Sequence, residues 1–365
     1  MPINATQLAE RFRRFADQEC ADEPLYDAIC RIVAEQPTLL NLLADAANEQ
    51  QRPNLWLAAV HDQLLSGVTH PLEAYFASRG GTRAADAELA ECLVDFVARH
   101  EAALRRCMAT HSTQTNEIGR GAVLWPALQA IARRSGCSKL ALLDLGCSAG
   151  LNLGVDDYRC DYGESTQGAD AGADVPVLPC RLVGPKRPAR EPSLQIVRRE
   201  GIDPSPIDVN DDTAVRWLRA CLWPSNVPRM RRFDQAVAIA RRRAWPVRWV
   251  ADCTPAVAPW LDSLPHDVQP VLLNSWVLTY FDRPALLRHI DTVTALVRER
   301  GLMWLSAEGP ELRIGPVDVP PPFEDDAQAR RGSLWTLCSR VDGELRFDLL
   351  ARSHPHGRWM EWLDA

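Results

Sequence analysis

The chain has no Cys-x-x-Cys pair, no low-complexity tract, no excess of basic charge and no apolar run approaching the ~18 residues of a membrane span. Each absence removes a class of function. Its 11 cysteines are scattered along 365 residues, and an odd number in a chain this large suits reduced thiols better than a disulfide framework or a zinc site. The first residues, MPINATQLAERFRRF, lack a basic start followed by an apolar stretch, so neither signal peptide nor membrane span is expected and the reading is cytoplasmic. A formal charge of −7 provides no global field to attract nucleic acid. Small-molecule chemistry is favoured, with no nucleic-acid or membrane partner; the oligomeric state stays open.

What is present divides in two. Residues 1–118 read as a helical domain: Leu8, Phe12 and Phe15, then Tyr26, Ile29 and Val33, then Leu89, Leu93, Phe96 and Val97 keep helical spacing. Breaks fall at Asp22-Glu23-Pro24, Arg52-Pro53 and Gly80-Gly81. Residues 119–365 read as an α/β core with an insertion at about 154–193. That core is organised around Lys139–Leu153, KLALLDLGCSAGLNL. An apolar run from Leu140 to Leu143 predicts a buried parallel strand. Asp144 follows, then Gly146, Ser148 and Gly150 at every second position, and Leu151 and Leu153 open a helix-like pattern. A strand, a tight turn and a helix start form a loop that a nucleotide-like ligand can approach closely.

D-x-G-x-S-x-G resembles the cofactor loop of class I S-adenosylmethionine-dependent methyltransferases, whose usual form is Asp/Glu-x-Gly-x-Gly-x-Gly; Ser148 stands at the central glycine. Residues 146–150 also spell G-x-S-x-G, the nucleophile elbow of α/β-hydrolases, with Ser148 as nucleophile. The hydrolase reading expects strands and an oxyanion loop upstream, where only helical patterns occur. Its acid and base would be Asp262 with His354 or His356.

Around this loop, Gln114, Thr115, Asn116, Glu117 and Arg120 form a dense polar set before an apolar helix. They read either as helix caps or as a polar wall beside a ligand. Tyr158 and Tyr162 lie in the insertion, as cavity lining or as anchors. Leu194–Val197 predicts a second strand, leading to Asp203, an acid suited to ribose hydroxyls or to the turn before its prolines. Val247–Val250 is a third strand ending near Asp252, placed to reach an adenine amino group. Pro270–Leu273 is a fourth, ending in Asn274-Ser275-Trp276. A helix from Pro284 to Arg300, the strand Leu302–Ser306 and a hairpin turning at Asp342-Gly343 follow. Seven arginines between 229 and 248 read as a solvated helix face. The closing His354-Pro355-His356 is a poor metal pair, and none of the chain's motifs has metal-ligand spacing.

QTNEIGR at 114–120, LLDLGCSAGLNL at 142–153, Tyr158–Gly163, GIDPSPIDV at 201–209, WLRACLWP at 217–224 and HPHGRWMEWL at 354–363 resemble the bacterial family catalogued as domain of unknown function 2332. The resemblance implies a Rossmann-like, class I methyltransferase core behind a helical N-terminal domain, closed by a C-terminal β-hairpin. The expected cofactor is S-adenosylmethionine, held by Asp144, Gly146, Ser148 and Gly150, with Asp203 at ribose, Asp252 near adenine and Asn274 beside them. Glu117 and His356 are the candidate catalytic proton acceptors, and Asn116, Arg120 and Tyr158 the candidate substrate contacts. A core that binds cofactor without turnover, serving as an interaction module, is the non-enzymatic alternative.

Overall fold

The computed structural model describes residues 5–114, 116–190, 193–319 and 332–364. The chain divides into two compact units, Met1–Thr115 with Asn210–Arg231 and Asn116–Val209 with Arg232–Ala365.

The first unit is helical. Its main helices are α1 (Ala5–Glu19), α2 (Pro24–Glu35), the single turn α3 (Pro37–Leu40), α4 (Pro53–Leu65) and α5 (Leu89–Thr110). Proline opens α2, α3 and α4 at the first helical position, where its missing N–H would have had no partner and its φ already suits the helix. Phe12, Ile29, Trp56 and Phe96 are wholly buried in the shared core. A core side chain of that size contributes roughly 1.5–3 kcal/mol over its exposed state. The later helix α7 (Asp212–Ala220) belongs here as well. Asp211 caps it, accepting from the amides of Thr213 and Ala214. Trp217 enters the core and donates its indole N–H to Ser112 O at 2.9 Å, while buried His61 bonds Ala220 O at 3.0 Å.

The second unit is mixed α/β, built on a nine-stranded, mostly parallel sheet. Its strands are β1 (Lys139–Leu145), β2 (Arg159–Asp161), β3 (Thr166–Gly168), β4 (Val177–Pro179), β5 (Arg181–Val183), β6 (Gln195–Asp203), β7 (Val247–Trp249), β8 (Gln269–Ser275), β9 (Met303–Glu308), β10 (Ser333–Val341), β11 (Glu344–Ser353) and β12 (Trp359–Trp362). The large sheet runs β5-β12-β11-β10-β9-β8-β1-β6-β7, and β2, β3 and β4 make a small sheet of their own. From β7 to β9 all neighbours are parallel. Chain order proceeds outward from β1 on one side and from β8 on the other, which places a switch point between these two strands. β1 is buried from Leu140 to Leu145, as its unbroken apolar run requires.

The terminal strands lie in chain order beside β9. Asp342 and Gly343 both adopt left-handed φ, +50° and +88°, which gives the two-residue hairpin turn its twist. Trp359–Trp362, for which sequence patterning assigns no element, forms β12 between β11 and β5. Four residues, three of them buried, are too few for periodicity to register.

Beyond α8 (Val227–Arg243) in the chain, one face of the sheet is covered by α9 (Val257–Asp262) and α10 (Arg283–Arg300), whose Trp260, Val293 and Val297 pack with Leu143, Leu272 and Trp304. The helix α6 (Gly121–Ser135) is buried along most of its length and carries Pro126 in its interior. That proline has no N–H for the carbonyl of Ala122 one turn earlier. The Tyr162 hydroxyl from the insertion supplies the missing donor, to Ala122 O at 2.7 Å.

Candidate functional site

The turn after β1 is made by three left-handed residues in alternation: Gly146 at φ +80°, Ser148 at +50° and Gly150 at +69°. Glycine is required at two of them for close approach as well. A Cβ on Gly146 would lie 2.2 Å from Val277 Cγ2, and one on Gly150 would lie 2.6 Å from Val247 Cγ2. Ser148 holds its left-handed conformation without that freedom, so its surroundings over-determine it. The segment that follows, Leu151–Asp157, is a short 3₁₀ helix and not an α-helix, so it lacks a macrodipole of useful length.

Asp203 at the end of β6 accounts for the strain. Its Oδ2 accepts the Ser148 amide at 2.8 Å, and its Oδ1 accepts the Ser205 amide at 2.7 Å. Asn116 grips the other side, donating from Nδ2 to Ser148 Oγ at 2.8 Å and accepting the Ala149 amide at Oδ1 at 3.3 Å. Gly146 N and Ile207 N complete the stitching, bonding Ile202 O and Ser148 O. Two residues assigned from sequence to ribose and substrate therefore first build the loop itself, with Asp203 also serving as a turn residue.

Arg120 is buried and donates from Nη1 to the Ser275 carbonyl at 3.1 Å and hydroxyl at 2.7 Å, at the carboxyl end of β8. Asp144 is buried at the end of β1, with Asn152 Nδ2 donating to Oδ2 at 3.2 Å. Burial pushes its carboxyl up to about 7, against the opposing pull of the Asn152 bond and the Arg120 charge. Glu308, at the end of β9, shows the same balance. Burial raises it to about 7, opposed first by the amides of Leu278 and Val277 and then by Arg120. Two buried carboxyl groups, each raised by burial, thus feel the charge of one guanidinium at the carboxyl ends of parallel strands. Glu308 is the residue that sequence reading misses, although it shows the signal used for Asp144 and Asp203: an acid closing an apolar strand, here just before Gly309-Pro310.

Asn274, at the end of β8, is fully buried. Its Oδ1 accepts from Trp304 Nε1 at 2.7 Å and bonds His289 Nε2 at 3.0 Å, and His289 Nδ1 bonds Thr254 Oγ1 at 2.8 Å. Burial pushes His289 down to about 4, so it is neutral.

The remaining sequence candidates fall into place around this centre. Glu117 caps the short turn Ile118–Arg120, with Oε1 accepting the Gly119 amide at 2.8 Å. Thr115 lies outside the described residues. The His354–Gly357 turn packs onto this cap, and a Cβ on Gly119 would come within 2.4 Å of His356 O. Motifs more than two hundred residues apart in the sequence therefore meet. Tyr158 is buried and donates its hydroxyl to Leu151 O at 2.7 Å, anchoring the insertion. Asp252 is exposed and accepts the Thr254 amide at 3.2 Å. Arg243 and Arg248 pair with Asp157 and Glu200, which accounts for part of the arginine cluster. Asp262, the acid available to a hydrolase, is exposed and pairs with Arg300 at 2.5 Å. Among the described residues no group of three or more His, Cys, Asp or Glu side chains could hold a metal ion, and no helix is long and apolar enough to cross a membrane.

No curated protein matches the chain, and no solved structure does. Residues 9–362 match the family model described as "Uncharacterized protein conserved in bacteria (DUF2332)", and the chain belongs to that family.

Proposed function

We propose that the second unit binds S-adenosylmethionine and transfers its methyl group to a small molecule. The observation that carries this reading is the loop Gly146–Gly150, with three left-handed residues in alternation, at the switch point of a parallel sheet where open α/β sheets receive their ligands. The donor set fits the group. Asp144 and Asp203 flank the loop, and each Asp203 oxygen retains a lone pair for a ribose hydroxyl beyond its backbone bonds. Trp249 at the end of β7 is opposite Asp203 in the strand register and 65% exposed, a flat apolar surface for a heterocycle. Support comes from the five parallel strands and not from the terminal hairpin.

When bound, the cofactor supplies a methyl on a positively charged sulfur. The chain's part is alignment and water exclusion, since in-line displacement gains chiefly from proximity. Glu117 and His356 are candidates for taking a proton from a hydroxyl or amine acceptor, their backbone segments being packed together beside Arg120. Thermal unfolding with S-adenosylmethionine, and with its demethylated product, tests the reading. Ligand at about 100 times its dissociation constant stabilises the native state by roughly 2.7 kcal/mol, a shift of several degrees. The shift should be lost in D144N. No shift at millimolar ligand in the folded parent removes the assignment.

A further inference from the structure

We propose that Asn274 and Glu308 form a polar subsite for a planar group that carries a carbonyl oxygen beside an N–H, such as a primary amide or the edge of a lactam. The subsite stands independently of the cofactor proposed above. It rests on two buried polar atoms of opposite character that have no hydrogen-bond partner among the described residues: Asn274 Nδ2 and Glu308 Oε2.

The orientation of Asn274 is fixed from behind. An indole N–H can only donate, so Trp304 identifies the atom it meets as Oδ1. His289 then donates from Nε2 to the same oxygen, and the Thr254 hydroxyl donates to its Nδ1. With Oδ1 held by two donors, the NH2 group is turned away from both. A neutral, buried relay of three side chains thus aims one amide. His289 is in this sense a positioning residue.

Glu308 is held in the same manner on one side only. Its Oε1 accepts the amides of Val277 and Leu278 at 2.9 and 3.1 Å, which leaves Oε2 beyond them. Asn274 is opposite Ser306 in the parallel register, so Glu308 lies two residues further along the adjacent strand and on the same face. Strand spacing and rise put the two positions about 8 Å apart at the backbone, within reach of one small planar group. Its atom at Asn274 must accept, and its atom at ionised Glu308 must carry a hydrogen. A primary amide presents both on one edge. A carboxylate presents only acceptors, and its charge opposes that of Glu308.

The test uses the isotopically labelled full chain at pH 8, where Glu308 is largely ionised, and follows the Asn274 side-chain NH2 resonance during titration with acetamide and with acetate. The expected result is a saturable shift with acetamide and roughly tenfold weaker binding of acetate, the size of one hydrogen bond. In E308Q the carboxylate becomes an amide that can donate, and the preference should invert toward acetate. No saturable response to acetamide in the parent, equal responses to the two probes, or an unchanged preference in folded E308Q overturns the proposal. Crystals of the parent grown with acetamide give a second readout that needs no variant. Density for the amide between the two atoms supports the subsite, and an ordered water bonded to both that acetamide does not displace overturns it.

Discussion

The carboxylate of Asp203 accepts the backbone N–H of Ser148, a non-glycine residue in left-handed conformation, at 2.8 Å. Because its other oxygen accepts the Ser205 amide, neither oxygen can be replaced by a donor without leaving one amide facing another. D203N should therefore lose about 1–3 kcal/mol, the penalty for a partly buried donor left unmatched. In a chain of 365 residues that lowers the unfolding midpoint by roughly 1–2 °C per kcal/mol. Differential scanning calorimetry measures it, and an unchanged midpoint would mean that Ser148 holds its conformation by other means.

Asp144 and Glu308 give the stability a pH dependence of definite sign. Both carboxyl groups sit near 7 in the native state, above their unfolded values of 3.8 and 4.5. Across the interval between, the native state binds more protons than the unfolded state, so the contribution of these groups falls as pH rises from about 4 to about 7 and is flat beyond. D144N removes one of these titrations. Urea unfolding of parent and D144N at half-unit intervals should show the difference between them changing over this window and constant above it; a difference independent of pH refutes the assignment.

His289 should be neutral, in the Nε2–H tautomer, through pH 5. Its pKa of about 4 and its two bonds, to Asn274 Oδ1 and Thr254 Oγ1, fix both properties. Long-range nitrogen–proton NMR spectra distinguish the tautomers directly. T254V should leave Nδ1 without its donor and cost about 1 kcal/mol.

If the heterocycle of the cofactor lies against Trp249, W249A should weaken binding by about 5- to 150-fold, since stacking a base on an aromatic ring is worth about 1–3 kcal/mol. Calorimetric titration reads the constant. Stability should change little, because 65% of the indole is already in solvent.

Ser148 should not react with a fluorophosphonate probe. Its Oγ accepts a hydrogen bond from Asn116 Nδ2, a donor that lowers the nucleophilicity of the oxygen, and Asp262 is engaged on the surface by Arg300. Covalent labelling that disappears in S148A would restore the hydrolase reading.

How much of this was legible in the sequence follows from the range of the interactions. The central parallel strands β1, β8 and β9 announce themselves as apolar runs because burial on both faces selects apolar residues locally, whereas β6 and β7, partly exposed, are legible only in the short stretches Leu194–Val197 and Val247–Val250. The turn at Gly146 is legible for the same reason, since its φ is a property of one residue. Contacts set by tertiary placement are not. Nothing in the segment around Trp217 indicates that α7 packs with Trp56 and Phe96. Tyr158 reads as an anchor or as cavity lining, the anchor being the commoner role, and its bond to Leu151 O comes from tertiary placement that the sequence does not show. Glu308 carried a local signal, an acid at a strand end, but its meaning depends on Val277 and Leu278, some thirty residues away.

Pro126 and Tyr162 have a consequence for how the chain can change over evolutionary time. A proline within α6 is tolerated because a phenolic hydroxyl from a separate loop stands in for the absent backbone amide. The two positions are therefore conditional on one another: replacing Pro126 by a residue with an N–H makes the Tyr162 hydroxyl redundant, while losing Tyr162 first leaves a buried carbonyl unanswered. Shortening the insertion therefore costs less once the helix has its amide back, by about the 1–3 kcal/mol of an unmatched buried carbonyl.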